Sequence, residues 1–449
     1  MQDSSASISQ VPEILALQKR SHLLRIPQEI DIPLTPRVRR LVDSEAFRRL
    51  SRISQLGLVA QVYPAATHSR FEHSLGVYRN ALLILQRLHH HPPFAALVSS
   101  RDAEKLIVAA LLHDIGHWPF CHPIEDLRLP HVPRHETFAQ HFLEQSELAD
   151  ALREDWGIEA GEVWELLAQP PGDAKGRLLA SILSGPIDVD KMDYLYRDSL
   201  HAGVPYGRNF DHQRLIGSLT LSRTGDALAI TDKGRTATEM MVFARYVMFS
   251  EVYWHHAVRS ATAMLQRAFY SIYNRADLDH WFGQDEQQMI GSMFAAAEDG
   301  LARPLLDGLF GPKRRLHKRL CEFSHYQHRE MFEKLARRPY PFLVDCANRL
   351  ADLTSQRLGR RVAPHEVLID APPVKLEVEF NIDVHFTRED EYRQLETVSP
   401  VVGTLARNQF DDYVKRVRVF VSPELAGELR GITELEQMLC DAIGEGSAA

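Results

Sequence analysis

The stretch Ala103-Glu-Lys-Leu-Ile-Val-Ala-Ala-Leu-Leu-His-Asp-Ile-Gly-His117 decides the fold. Apolar side chains cover most of its circumference at helical spacing, so it reads as a buried helix. Such a helix needs partners on every side, which points to a mainly α architecture. Asp114 to His117 closes the helix, with Gly116 available for the break. The adjacent side chains of His113 and Asp114 project about 100° apart on a helix. At a helix end, with the axis pointing at an ion, both still reach it. His117 lies four residues after His113, on the same face one turn on.

Two further segments supply matching chemistry. They are His68-Ser-Arg-Phe-Glu-His73 and Ile187-Asp-Val-Asp190. Together His73, His113, Asp114 and Asp190 offer two imidazoles and two carboxylates. That set suits a borderline-to-hard divalent metal that activates water, such as Fe, Mn, Zn, Ni, Co or Mg. His117, His122 and His135 crowd the same segments. A lone His-Asp pair carries little weight. The surrounding strings, Leu111-Leu-His-Asp-Ile-Gly-His-Trp-Pro-Phe-Cys-His122 and His68-Ser-Arg-Phe-Glu-His-Ser-Leu-Gly76, are far more restrictive than scattered structural histidines would be.

The rest of the chain bounds the answer. Its 449 residues suit two or three domains, or one large helical body with an appendage. A hydrophobic share of 45% and a charged share of 25% are those of a globular protein. A net charge of −8 argues against a general nucleic-acid surface, although Arg37-Val-Arg-Arg40 and Lys313-Arg-Arg-Leu-His-Lys-Arg319 leave room for local basic pockets. Cys121, Cys321, Cys346 and Cys440 form no CxxC pair, so a thiolate zinc site and a disulfide framework are not expected. A reduced, cytoplasmic compartment fits, with no signal peptide and no membrane span expected.

Thr35-Pro36 predicts a helix start, with Thr35 as the N-cap. Val77 to Leu88 carries helical periodicity. Leu219 to Thr231 reads as a β-hairpin around Arg223-Thr-Gly-Asp226. Helices resume at about residue 236. Val374-Lys-Leu-Glu-Val-Glu-Phe380 and Lys415-Arg-Val-Arg-Val-Phe-Val421 alternate and predict two strands of a small C-terminal α+β appendage. The expected division is an N-terminal extension over 1–40, a catalytic core over 41–300 and a C-terminal assembly or regulatory region over 301–449.

The two histidine strings, His135-Glu136 and Asp188-Val-Asp-Lys-Met-Asp-Tyr-Leu-Tyr-Arg-Asp198 resemble the motifs of HD-domain metal phosphohydrolases. More narrowly they resemble the deoxynucleoside triphosphate triphosphohydrolases, the group of the bacterial dGTPases and the vertebrate SAM- and HD-domain enzyme. The likeness runs from about Asp43 to about Phe269 and fades toward the C-terminus. It implies an HD-domain helical bundle with His73, His113, Asp114 and Asp190 as metal ligands. It implies His117 as the catalytic histidine at the α-phosphate, with His135 and Glu136 as its acid-base support. Glu125 stands where relatives carry an aspartate in that relay. Arg70, Lys191, Arg245 and Tyr194 would meet phosphate oxygens, and Asp198 the sugar 3′-hydroxyl. Gln55, Leu56 and Tyr253 would pack the sugar, and His122 joins the substrate-binding set.

The implied reaction is attack of water on the α-phosphate of a deoxynucleoside triphosphate, releasing deoxynucleoside and tripolyphosphate. The resemblance also implies a homo-oligomer, a dimer of dimers or larger, with a nucleotide effector. Arg48, Arg49 and Arg52 offer a surface for an anionic effector. Two competing readings stand beside this one. The first is another HD phosphohydrolase: a nucleotidase, a cyclic-nucleotide phosphodiesterase or an alarmone hydrolase. The second is a non-catalytic nucleotide sensor or single-stranded nucleic-acid binder. Arg70, Lys191 and Tyr194 together favour a triphosphate.

Overall fold

Ser100–Leu112 is a helix, and every residue from Leu106 to Leu112 is buried, as its all-round apolar pattern demands. Ser99 and Asp102 cap it reciprocally, satisfying backbone donors at its start. The Arg70–Leu88 helix packs on it, and Val189–His201 packs on Arg70–Leu88. The computed structural model describes residues 7–444 apart from 20–21, 29, 170–171, 299, 374–380, 408–413 and 430–433. The architecture is mainly α, with small sheets. Thr35 caps Pro36–Val42 as expected, its side chain accepting from the Val38 amide. No helix among the described residues is long and apolar enough to cross a membrane.

Nine strands are described. They are β1 (Leu23–Ile26), β2 (Ile30–Pro33), β3 (Leu219–Leu221), β4 (Leu228–Thr231), β5 (Lys318–Phe323), β6 (Val367–Asp370), β7 (Asp383–Phe386), β8 (Glu391–Gln394) and β9 (Val417–Val421). β1 and β2 form an antiparallel pair. The expected hairpin is β3–β4, and β7 extends it in parallel, followed by β8. The third sheet runs β5-β9-β6, with β9 at its centre. The expected strand over 415–421 is thus β9, two residues shorter. The expected strand over 374–380 lies outside the described residues.

The third sheet separates two hydrophobic cores. Val417, Val419 and Val421 point into a second core that also holds Phe323, Leu350 and Leu439. Phe420 and Leu368, on the opposite face, belong to the main core. That main-core face also carries charge. Arg259 pairs with Asp370 at 2.5 Å and Arg418 with Glu322 at 2.7 Å. The alternation of the Lys415–Val421 string is therefore a two-core pattern, with valines to one side and Arg418 and Phe420 to the other. His256–Ile272 is buried continuously from Val258 to Phe269 and carries the main core up to this sheet.

Gly116 differs from its expected role. It adopts no left-handed conformation, since its φ is not positive. A Cβ there would lie 2.2 Å from the carbonyl oxygen of His135 and 2.5 Å from the Ala139 amide nitrogen. Gly116 is needed for close approach: it lets the His135–Leu143 helix lie directly against the turn that carries His113, Asp114 and His117.

His317 closes the seam between the cores. It is buried, its Nε2 donates to the His365 carbonyl at 2.8 Å, and burial pushes its pKa down to about 4. The unfolded chain binds that proton at a pKa of about 6.5. Protons therefore favour the unfolded state in this window, so the stability conferred by neutral His317 is complete above about pH 6.5 and lost as pH falls toward 4, by up to about 3 kcal/mol. The expected result is a thermal midpoint that drops through this window in wild type and drops less in His317→Gln, read by calorimetry across a pH series.

Candidate functional site

Three helix termini build the centre. Ser69 caps Arg70–Leu88 by accepting from the Glu72 amide, which sets Arg70 at the first helical position and His73 at the fourth. His113 is the C-cap of Ser100–Leu112, and Asp114 follows it. Asp188 caps Val189–His201, its carboxylate accepting from the Lys191 amide at 2.6 Å, which puts Asp190 at the second position. Capping chemistry in each segment thus aims one or two ligands at a common point.

The four expected ligands converge. His73 Nε2 lies 3.0 Å from Asp190 Oδ1, 3.2 Å from His113 Nε2 and 4.0 Å from Asp114 Oδ2. His113 Nε2 lies 3.4 Å from Asp114 Oδ1 and 4.0 Å from Asp190 Oδ1. Ligands about 2.0–2.2 Å from one metal stand on the order of 3 Å apart. His73 and Asp114 are buried, while the side chains of Asp190 (33%) and His113 (16%) keep some exposure and mark the open side.

The tautomers show that the cluster fits a cation. His73 donates Nδ1–H to Asp193 Oδ2 at 2.8 Å, and His113 donates Nδ1–H to the Ala110 carbonyl at 2.9 Å. In the neutral rings both Nε2 atoms then present lone pairs inward, toward carboxylate oxygens that also only accept. Four acceptors face one another with no donor between them. Without a metal, a proton takes the place. Burial opposes a charge on His73, yet its bonds to Asp190 and Asp193 and the nearby carboxylates push its pKa up to about 10. Burial also opposes the Asp114 charge, but the Arg70 guanidinium and the His113 and His73 imidazoles hold its carboxyl well below the usual range. The donor set suits a divalent metal held by His73, His113, Asp114 and Asp190.

Asp193, which the reading of the sequence did not single out, backs His73. Besides His73 it accepts from Arg197 Nε at 2.8 Å and Nη2 at 2.7 Å, and Arg197 Nη1 continues to Glu72 Oε1 at 2.7 Å. Burial opposes its charge, but Arg197 and His73 hold its carboxyl well below the usual range. The arrangement fixes the ring and tautomer of a ligand histidine. Gly76 makes room for it, since a Cβ at Gly76 would lie 1.8 Å from Asp193 Oδ1. The available signal was the spacing: Asp193 follows Asp190 by three residues on the same helical face.

The residues expected to form a histidine relay also lie together. His117 is buried, with Nδ1 3.0 Å from Asp114 Oδ1 but outside hydrogen-bond geometry. Its ring lies 3.9 Å from that of His135 and 5.1 Å from that of His122, centroid to centroid. Burial first, and the nearby Arg70 charge second, hold the His117 pKa well below its ordinary value, so the ring is neutral. Glu125 accepts from the His135 amide at 2.7 Å and from His135 Nδ1 at 2.9 Å. Its longer side chain therefore still reaches the relay. Burial raises the Glu125 pKa, but bonds with His122 and His135 outweigh it and keep the carboxylate charged. Glu136 Oε1 lies 3.6 Å from His135 Nε2 and also accepts from Arg134. His122 is the exposed member of the group.

Arg49, expected on an effector surface, is instead buried. It donates to the carbonyls of Ile115, His117, Phe282 and Gln284. Burial among these groups brings its pKa down to about 9. Arg52 pairs with Asp285 at 2.9 Å, and Arg48 is exposed over the Phe71 ring.

Among the phosphate candidates, Lys191, Tyr194 and Arg245 lie near one another and near Asp190. Arg70 donates to Asp114 Oδ2 at 2.8 Å, so it braces a ligand. Lys191 Nζ donates to Asp188 Oδ2 at 2.6 Å. Tyr194 has its pKa pushed up to about 12 by burial, with Arg245 and Lys191 acting against that rise, so its hydroxyl is a donor beside two cations. Asp198 is engaged by the protein: His68 Nε2 donates to Oδ1 at 2.9 Å and the Tyr253 hydroxyl to Oδ2 at 2.6 Å. His68 was not expected in this role. Gln55 and Leu56 are half-buried, and the Gln55 Oε1 atom has no hydrogen-bond partner among the described residues.

Comparison with known proteins agrees with this geometry. Residues 70–198 match the HD domain, and residues 210–435 match the HD associated region. The chain belongs to the HD-domain phosphohydrolases. An uncharacterized protein of Methanocaldococcus jannaschii is 29% identical over 407 residues, 89% of this chain and 79% of that one. A Bacillus subtilis protein is 35% identical over 228 residues, 51% of this chain and 50% of that one. The deoxynucleoside triphosphate triphosphohydrolase SAMHD1 of Gallus gallus is 27% identical over 391 residues, 79% of this chain and 62% of that one. A crystal structure of a hypothetical protein from Aquifex aeolicus superposes with a TM-score of 0.71 at 27% identity, covering 91% of this chain and 98% of that one.

The ring-orienting role of Asp193 is testable by metal titration. Asp193→Asn keeps the shape but removes the charge behind His73. The expected result is an affinity for Mn²⁺ weakened by about 10–100-fold, with the circular dichroism of the wild type retained. Unchanged affinity would show that His73 is oriented by packing alone.

Proposed function

We propose that this chain hydrolyses deoxynucleoside triphosphates to deoxynucleoside and tripolyphosphate. The observation that carries the reading is the juxtaposition of two features. A four-acceptor metal cradle adjoins Lys191, Tyr194 and Arg245, and a neutral buried His117 lies against the cradle on Asp114. A triphosphate brings about four negative charges, and a cleft that bound it would need such cations.

A divalent ion held by His73, His113, Asp114 and Asp190 would supply Lewis acidity and an activated water. Its identity is open among Fe, Mn, Zn, Ni, Co and Mg. Water adds to the α-phosphorus, and the bond from that phosphorus to the nucleoside 5′-oxygen breaks. The 5′-oxygen must gain a proton as it leaves. His117, neutral at rest, is the group placed to take a proton from the attacking water and pass it to that oxygen, and His135, held by Glu125 and faced by Glu136, is placed to support the transfer. Lys191 and Arg245 offset phosphate charge, and the Tyr194 hydroxyl donates. Arg70 keeps Asp114 ionised and oriented. Leu56 and the Tyr253 ring border the sugar and leave a ribose 2′-hydroxyl unpaired, which disfavours ribonucleotides. Gln55, Asp198 and His122 complete the substrate contacts. A homo-oligomer opened by a nucleotide effector belongs to the same reading, with Arg48 and Arg52, and no longer Arg49, as its anion-facing residues.

The test is a product assay. Each dNTP and NTP is incubated with the protein and Mn²⁺ or Mg²⁺, singly and mixed, and the products are resolved by chromatography and ³¹P NMR. Tripolyphosphate plus deoxynucleoside is expected from dNTPs. His113→Ala or Asp190→Ala should lower the rate by at least about 10³-fold, the scale of losing a metal-activated water. Monophosphate or orthophosphate as the product would instead place the chain with another class of HD phosphohydrolase. Absence of turnover in every mixture would favour a nucleotide sensor.

A further inference from the structure

A second charged feature lies far from these residues in the chain, where the two cores meet. Arg267 sits on the buried His256–Ile272 helix and is 4% exposed. Its Nη2 donates to Asn348 Oδ1 at 2.5 Å. Its Nε and Nη1 are buried and have no hydrogen-bond partner among the described residues. Asp345 acts on its charge only through space, without an ion pair. Two turns earlier on the same helix, Arg259 takes both oxygens of Asp370, so that carboxylate is already engaged. Arg267 is thus a buried cation with two spare donors and no bonded counter-charge, an arrangement that is costly unless an anion completes it.

Arg267 and Tyr340 line a small crevice of about 10 Å³. Tyr340 stands beside Arg267, and burial raises its pKa, so its hydroxyl remains a donor. No described residue accepts a hydrogen bond from it. The other walls are aliphatic, among them Leu343, Val344, Leu368 and Ile369. That volume admits about one water-sized particle and falls far below the range of about 300–1,000 Å³ usual for drug-sized ligands. Three donors, one positive charge and otherwise apolar walls match one small, singly charged ion. They do not match a phosphate or a nucleotide, whose further oxygens would find no donors here.

We propose that the Arg267 crevice binds a single monovalent inorganic anion of halide size. The ion completes the hydrogen bonding of Arg267 and Tyr340. Because Arg267 belongs to the main-core helix and Tyr340 starts the Tyr340–Leu358 helix of the second core, the bound ion bridges the two cores. It concerns the docking of the C-terminal region and stands independently of the phosphohydrolase chemistry.

The experiment uses the full chain in sodium chloride, bromide, gluconate and sulfate at constant ionic strength. Chloride and bromide should raise the thermal midpoint by about 1–3 °C in a saturable manner, while gluconate and sulfate should not. Arg267→Met should abolish the difference, and Tyr340→Phe should weaken the apparent affinity several-fold. Should Arg267→Met fail to fold, crystals of the wild type grown in bromide decide the matter. An anomalous peak within hydrogen-bond distance of Arg267 Nε or Nη1 is expected. Equal midpoints in all four salts, or crystals without that peak, would overturn the proposal. A peak without saturable stabilisation would mark an adventitious ion only, and would overturn it too.

Discussion

The centre of this protein rests on an excess of acceptors. Two imidazole lone pairs and two carboxylates face one point, and His73, His113 and Asp114 are each held there by a bond on the far side. Asp193 grips His73, the Ala110 carbonyl grips His113, and Arg70 grips Asp114. None of the three can turn away without breaking that outer bond. The inner atoms therefore remain an acceptor set that a proton on His73 or a metal ion completes. The helix caps at Ser69 and Asp188 and the end of Ser100–Leu112 set the angles, and close packing of three helices sets the distances.

Much of this was legible in the sequence, and the reasons are local. His73, His113, Asp114 and Asp190 sit at helix ends whose capping residues are adjacent in sequence, so local rules place them. The apolar circumference of Leu106 to Leu112 announces burial on every side, and the structure shows it. His135 and Glu125 are ten residues apart and meet across a short connection.

What escaped the reading involves groups whose role is set by packing. Asp193 looks like any helical acid until Arg197 and His73 surround it. Arg49 has the sequence setting of a surface residue, beside Arg48 and Arg52, yet the fold turns it inward onto four carbonyls. Gly116 invites a conformational explanation, but the space beside it decides. The Lys415–Val421 string alternates as a half-exposed strand would. It is instead buried on both faces, because a second core lies behind it. Periodicity reports which side chains differ, and cannot say that both sides are covered.

Arg49 gives the site a mechanical property. One guanidinium ties the carbonyls of Ile115 and His117 to those of Phe282 and Gln284, more than 160 residues downstream. The downstream arm of this clamp is itself anchored by Arg52 on Asp285 and by the Ser54 amide on Glu286. A shift of the Phe282–Glu286 segment cannot leave the histidine turn where it is without stranding a charge in the interior. The two move as one piece, so the posture of His117 is a readout of a segment that touches none of the reacting atoms.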